Sequence, residues 1–77
     1  MRKEEFLDEL AQILGFSAGT LKGTELLQDI QLWDSMGRLS FILLAEEKLG
    51  YVVDGTKVSE AHTINELIVL VHDKLEL

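Results

Sequence analysis

The spacing of apolar residues along the chain predicts helices rather than strands. Between Lys3 and Leu14 apolar positions return every three or four residues, and Gly15 then stands where a helix commonly ends. A long polar stretch with several glycines follows from Ser17 to Glu25. Within and just after this stretch lie apolar residues that we expect to pack back over a core: Leu21, Leu26, Leu27 and Ile30.

A second helix is predicted to begin at Asp34, because an Asp side chain accepts hydrogen bonds from the free N–H groups of a first helical turn. Gly50 closes this segment. The apolar residues that keep the helical period are Met36, Leu39, Ile42, Leu43, Ala45 and Leu49. We expect Ile42 to be buried, whereas Met36 and Phe41 are expected on the exposed side.

After Gly50 the chain predicts an extended connector over 51–53, with Val53 pointing inward, and a turn at Asp54 and Gly55. A short helical turn is predicted from Lys57 to Ala61, around Val58.

The last helix has the strongest start signal. Thr63 and Glu66 fit the capping box, in which each side chain satisfies a backbone N–H of the other residue. Its apolar stripe comprises Ile64, Leu67, Ile68, Leu70, Val71 and Leu75. The predicted fold is therefore all-α: a small bundle of three main helices and one short helix, with a long loop between the first two, in a single domain spanning residues 1–77.

Composition narrows the possible functions. The 77 residues include no cysteine, which excludes disulfides and thiolate metal sites. Seven basic residues against fourteen acidic ones give a net charge of −7, which argues against nucleic acid and anionic membranes as partners. No apolar run approaches the roughly 18 residues of a membrane span. We expect a cytoplasmic monomer that attracts partners with basic surface patches.

Residues for catalysis are scarce. His62 and His72 stand ten positions apart without a cysteine or paired carboxylate at metal-ligand spacing, so we expect both to be surface residues and no metal to bind. The chain contains no glycine-rich phosphate loop and no persuasive Ser–His–Asp order. The sequence therefore predicts a protein that is not an enzyme.

One short segment does indicate chemistry, at the junction of the long loop and the second helix. It reads Trp33-Asp34-Ser35-Met36 and places Ser35 at the first helical position, directly after the Asp cap. A phosphate on the Ser35 oxygen would be stabilised there by free N–H groups and the positive end of the helix dipole. Taken alone, however, an Asp–Ser pair more often does no more than open a helix.

The wider pattern resembles the acyl carrier protein family over nearly the whole chain. It runs Leu26-x-x-x-Ile30-x-x-Trp33-Asp34-Ser35-Met36-x-x-Leu39, followed by the helix-ending Gly50 and the capped Thr63. The resemblance, which extends to peptidyl and D-alanyl carriers, implies that coenzyme A supplies a phosphopantetheine group to Ser35, with Asp34 capping the helix beside it. The thiol of that group would carry an acyl or aminoacyl cargo as a thioester.

The same resemblance implies the partners. They are a phosphopantetheinyl transferase and acyl-activating, acyl-transferring or condensing enzymes. Met36 stands where the family usually has a leucine that touches these enzymes. We expect docking along the exposed side of the second helix, with Met36 and Phe41 as apolar anchors and Glu46 and Glu47 as charges.

The sequence also departs from fatty-acid-type carriers. Two places that are acidic in those proteins hold Gly37 and Ser40, and Arg38 adds a positive charge. We therefore expect a specialised pathway rather than housekeeping fatty-acid synthesis. An alternative hypothesis is a helical interaction module that docks through Met36, Leu39 and Phe41 and whose Ser35 is never modified.

Overall fold

The computed structural model describes residues 1–76, and Leu77 lies outside that range. The described residues form four α-helices and no β-strand, which confirms the all-α prediction. The helices are α1 (Lys3–Ile13), α2 (Ser35–Leu49), α3 (Gly55–Glu60) and α4 (Ile64–Val71). Two 3₁₀ turns, Leu27–Asp29 and His72–Lys74, precede α2 and follow α4.

Local hydrogen bonds account for the ends of the helices. Asp34 Oδ1 accepts from the Gly37 N–H at 3.0 Å, and Gly50 ends α2 in the left-handed conformation with φ 65°. At the start of α4, Thr63 Oγ1 accepts from the Glu66 N–H at 3.2 Å while Glu66 Oε2 accepts from the Thr63 N–H at 2.8 Å. The predicted starts of both helices are therefore confirmed.

The short third helix begins two residues before the predicted Lys57. Asp54 explains the difference, because its Oδ1 accepts from the Thr56 N–H at 2.9 Å and so caps a helix that starts at Gly55. Val58 is completely buried, and Val53 points inward, both as predicted.

Two buried aromatic rings lie at the centre of the core, and a third, partly buried ring packs against them. The rings of Phe6 in α1 and Phe41 in α2 meet edge to face, with centroids 6.0 Å apart and planes at 84°. The ring of Trp33, just before α2, meets Phe41 at 6.4 Å and 68°. Edge-to-face pairs are a favoured aromatic geometry. The buried apolar residues around these rings come from all four helices and from the loops: Leu10, Ala11, Leu14, Leu21, Leu27, Ile30, Leu44, Ala45, Val53, Val58, Ile64, Leu67, Ile68, Val71 and Leu75.

The buried face of α2 differs from the predicted one. Phe41, expected as an exposed anchor, is completely buried, whereas Leu39 and Leu43 are about half exposed and Ile42 is half-buried. Apolar residues lie on several sides of this helix, so periodicity alone does not select the inner face. The large Phe41 ring takes the central position because the Phe6 ring lies opposite it.

Backbone hydrogen bonds hold the long loop against the start of α4. The Asn65 N–H donates to the Gly23 carbonyl at 2.8 Å, and the Leu27 N–H donates to the His62 carbonyl at 2.8 Å. Leu27 is buried as expected, but Leu26 is 43% exposed, contrary to the prediction. Leu26 forms a single antiparallel bridge with Thr63, and in extended backbone successive side chains point to opposite sides. Since Leu27 points into the core, Leu26 points out.

Replacing Phe41 tests its position in the core. Phe41→Ala should lower the free energy of unfolding by about 3–5 kcal/mol, because it leaves a cavity among packed rings. Leu43→Ala, in the same helix, should change it by less than about 0.5 kcal/mol. Urea unfolding followed by circular dichroism measures both values. Equal small effects would place Phe41 on the surface, as the sequence had indicated.

The Glu66 carboxylate makes stability depend on pH. The His62 N–H, and after it the Thr63 N–H and hydroxyl, lower the pKa of Glu66 below its usual range, although partial desolvation acts in the opposite direction. A lowered folded pKa stabilises the protein above the unfolded value of about 4.3, and that stabilisation is lost as the pH falls through the folded pKa.

Glu66→Gln should therefore lower the melting temperature near pH 7 and have a much smaller effect near pH 3. Glu60→Gln is the matched control, because it removes the same charge from the exposed end of α3. Melting curves of the three proteins at both pH values check this expectation. A gap between wild type and Glu66→Gln that stays constant with pH would contradict it.

Candidate functional site

Ser35 occupies the place that the sequence predicts, as the exposed first residue of α2. The Asp34 carboxylate is directed to the Gly37 N–H and so belongs to the helix cap. One guanidinium nitrogen of Arg38, Nη2, lies 3.5 Å from Ser35 Oγ, at the outer limit of a hydrogen bond. The serine oxygen therefore stands in solvent at a helix N-terminus, with a positive side chain one turn further on.

Gly37 has a structural role that the sequence pattern does not reveal. A Cβ at this position would overlap the backbone carbonyl oxygen of Leu32 and would lie 3.5 Å from Cε3 of Trp33. The segment that leads into α2 thus runs directly against the first turn of the helix. Glycine is required here for space, since its φ is not in the left-handed region.

A groove of about 430 Å³ is lined by Arg38, the residue that approaches Ser35, and by six others. Its walls are the 3₁₀ turn before α2, the start of α2, and the connection between α3 and α4. The lining residues are Leu26, Leu27, Gln28, Trp33, Arg38, Ala61 and His62. Arg38 is common to the groove and to the surroundings of Ser35.

Sequence reasoning missed the far wall of this groove. Gln28 and Ala61 are distant in the chain, and neither belongs to a recognisable motif. They come together because the Leu27 N–H donates to the His62 carbonyl. No local signal predicts that bond.

Of the expected partner-binding residues, three are exposed on α2 and one is buried. Met36 is 66% exposed, and Glu46 and Glu47 are exposed at the far end of α2, where they line a shallow depression with Leu43. Phe41, as described, lies in the core and cannot contact a partner. We call Met36, Leu39 and Leu43 the α2 stripe, because their spacing of three and four residues places them along one side of the helix.

The residues around Ser35 fit a phosphate-linked group. Its oxygen is exposed, the first turn of α2 contains no acidic residue, and Arg38 lies within reach. Arg38 and the free N–H groups of the first turn would hold the phosphate, and the groove offers room beyond it. Ser59 differs from Ser35 in that its hydroxyl donates a hydrogen bond to the Thr56 carbonyl, at 2.8 Å.

Comparisons with protein-family models, with curated proteins and with solved structures give no match. Among the helices of residues 1–76, none combines the length and the apolar composition that crossing a membrane demands.

Gly37→Ala tests the contact between the loop and α2. Helix propensity alone would make alanine more stable by up to about 1 kcal/mol, but the overlap with the Leu32 carbonyl should make the variant less stable by about 1–3 kcal/mol. Gly55→Ala is the control, because a Cβ there meets only Ile42 Cδ1 at an ordinary 3.8 Å. Urea unfolding of both variants gives the sign of the change in the free energy of unfolding. Stabilisation by Gly37→Ala would contradict the steric argument.

Proposed function

We propose that this protein is an acyl carrier protein that holds an acyl or aminoacyl group on a phosphopantetheine attached to Ser35 and presents it to partner enzymes. The observation that carries the proposal is the exposed Ser35 hydroxyl at the first position of a capped helix, beside Arg38 and an open groove. The resemblance of the segment around Ser35 to carrier motifs supports the same assignment.

Attachment would consume coenzyme A. Ser35 Oγ forms a bond to the phosphorus that bears the pantetheine, and the P–O bond to the nucleotide breaks, so 3′-phosphoadenosine 5′-phosphate leaves. The transferase supplies the base that takes the Ser35 proton. The attached group contributes a thiol that holds cargo as a thioester. Residues of this chain stabilise the new phosphodiester charge through the helix N-terminus and Arg38.

Client enzymes would dock on the α2 stripe. Its three side chains are each about half or more exposed to solvent and lie along the helix that begins at Ser35. Glu46 and Glu47 would add a charged rim that influences the association rate more than the affinity. Since acidic residues are absent from the first turn of α2, we propose dedicated partners in a specialised cytoplasmic pathway.

A second candidate is a helical interaction module that acts without modification. The α2 stripe is the observation in its favour, because an exposed apolar stripe can bind another protein whether or not Ser35 carries a group. Modification of Ser35 separates the two proposals.

Incubation with coenzyme A and a phosphopantetheinyl transferase of broad specificity should add the mass of one phosphopantetheine to the intact protein. Ser35→Ala should stay folded and gain no mass, because alanine is well accepted in a helix. Ser40→Ala, five residues further along α2, is the matched control and should be modified fully. An unmodified wild type would favour the interaction module, and a modified Ser35→Ala protein would place the attachment at another residue.

The transferase itself can test the α2 stripe. Leu43→Ala should lower kcat/KM for the attachment reaction by up to about fivefold, because truncation costs more than about 1 kcal/mol at only a minority of the contact residues of an interface. The matched control is Val69→Ala, which truncates an exposed apolar side chain on α4. An equal loss in both variants would show that the stripe is not the docking surface.

A further inference from the structure

The groove beside Ser35 is joined to it by a single side chain. Arg38 lines the groove and also approaches Ser35 Oγ, with 3.5 Å between Nη2 and the oxygen. No other residue among those that line the groove makes a hydrogen bond to the Ser35 side chain in residues 1–76. Arg38 is therefore within reach of a group on Ser35 and of the groove alike.

The guanidinium can accept a phosphate as a partner. In the described residues Arg38 makes no ion pair, since the pairs found there involve the N-terminus, Arg2 and His72. The Asp34 carboxylate, the nearest acidic neighbour in sequence, accepts the Gly37 N–H. An Arg fork matches phosphate geometry, and such charge-assisted hydrogen bonds are about twice as strong as neutral ones.

The groove beyond Arg38 has the mixed character that an amide-containing chain needs. Leu26, Leu27, Trp33 and Ala61 offer apolar contact, and the Gln28 amide and the His62 imidazole offer hydrogen-bonding groups. These two polar residues come from opposite walls, the 3₁₀ turn and the connection between α3 and α4. An arm with methyl and amide groups could thus contact both walls at once.

We infer that Arg38 is a positioning residue, which binds the phosphate of the group on Ser35 and directs the arm into this groove. The inference rests on the proposed function. We further infer that the arm is held against the protein between encounters with enzymes, and that the positive charge of Arg38 is required to hold it.

Amide spectra of ¹⁵N-labelled protein before and after attachment from coenzyme A test the inference. In the wild type, attachment should shift the amide signals of Gln28, Ala61 and His62, which line the groove and are distant from Ser35 in the sequence. In Arg38→Gln these shifts should fall several-fold, while intact mass shows the same attachment. Raising the salt concentration should reduce the wild-type shifts and have little effect on the variant, because salt screens an exposed ion pair.

Lys48→Gln is the matched control, since it removes one positive charge from the other end of α2 and should leave the groove shifts unchanged. Circular dichroism checks that each variant is folded. If attachment is complete but shifts stay confined to residues 34–38, the inference is wrong and the proposed function stands. If the wild type gains no mass, both are wrong. Full groove shifts in Arg38→Gln would show that the groove holds the arm without Arg38.

Discussion

Phe41 lies where α1, α2 and the segment before Ser35 meet. Its contacts with Phe6 and Trp33 fix the rotation of α2 about its own axis, and that rotation decides which side chains face solvent. With Phe41 inward, the α2 stripe faces outward. The same contact holds Trp33 in place, and Trp33 is at once a wall of the groove and the residue before the Asp34 cap. A single buried ring thus orients both the attachment point and the surface around it.

Ion pairs have little part in holding this fold together. The ion pairs found among residues 1–76 have N–O distances of 3.8–3.9 Å and mostly exposed partners, and such pairs contribute about 0–1 kcal/mol each. Packing and helix caps therefore supply the stability. Five of the fourteen acidic side chains make no hydrogen bond or ion pair among residues 1–76: Glu9, Asp29, Glu46, Glu47 and Glu60. The chain has a net charge of −7. Arg38 nevertheless places a positive charge beside Ser35, where a negative group is proposed to be attached.

The sequence predicted the features that depend on neighbouring residues. It did not predict the features that depend on contacts between distant segments. Asp34 and the Thr63–Glu66 pair predict where α2 and α4 begin, because a cap forms hydrogen bonds only with the first turn of its own helix. The inner face of α2 was assigned wrongly, since apolar residues on several sides compete and the Phe6 ring settles the choice. Gly37 looked like a departure from a pattern, yet the Leu32 carbonyl requires it. The groove could not be foreseen at all, because Gln28 and Ala61 meet only in the folded chain.

The bonds between the long loop and α4 have a consequence for the order of folding. Gly23 and Asn65 are separated by more than half of the chain, as are Glu25 and Ile64, whose carbonyl and N–H also pair. We expect contacts so distant in sequence to form late, since closing a long loop costs entropy before any contact offsets it. Helix α2 and its serine can form early from local signals, but the groove is complete only after the last helix has docked. The wall of the groove that Gln28 and Ala61 form is therefore present only when the whole chain has folded.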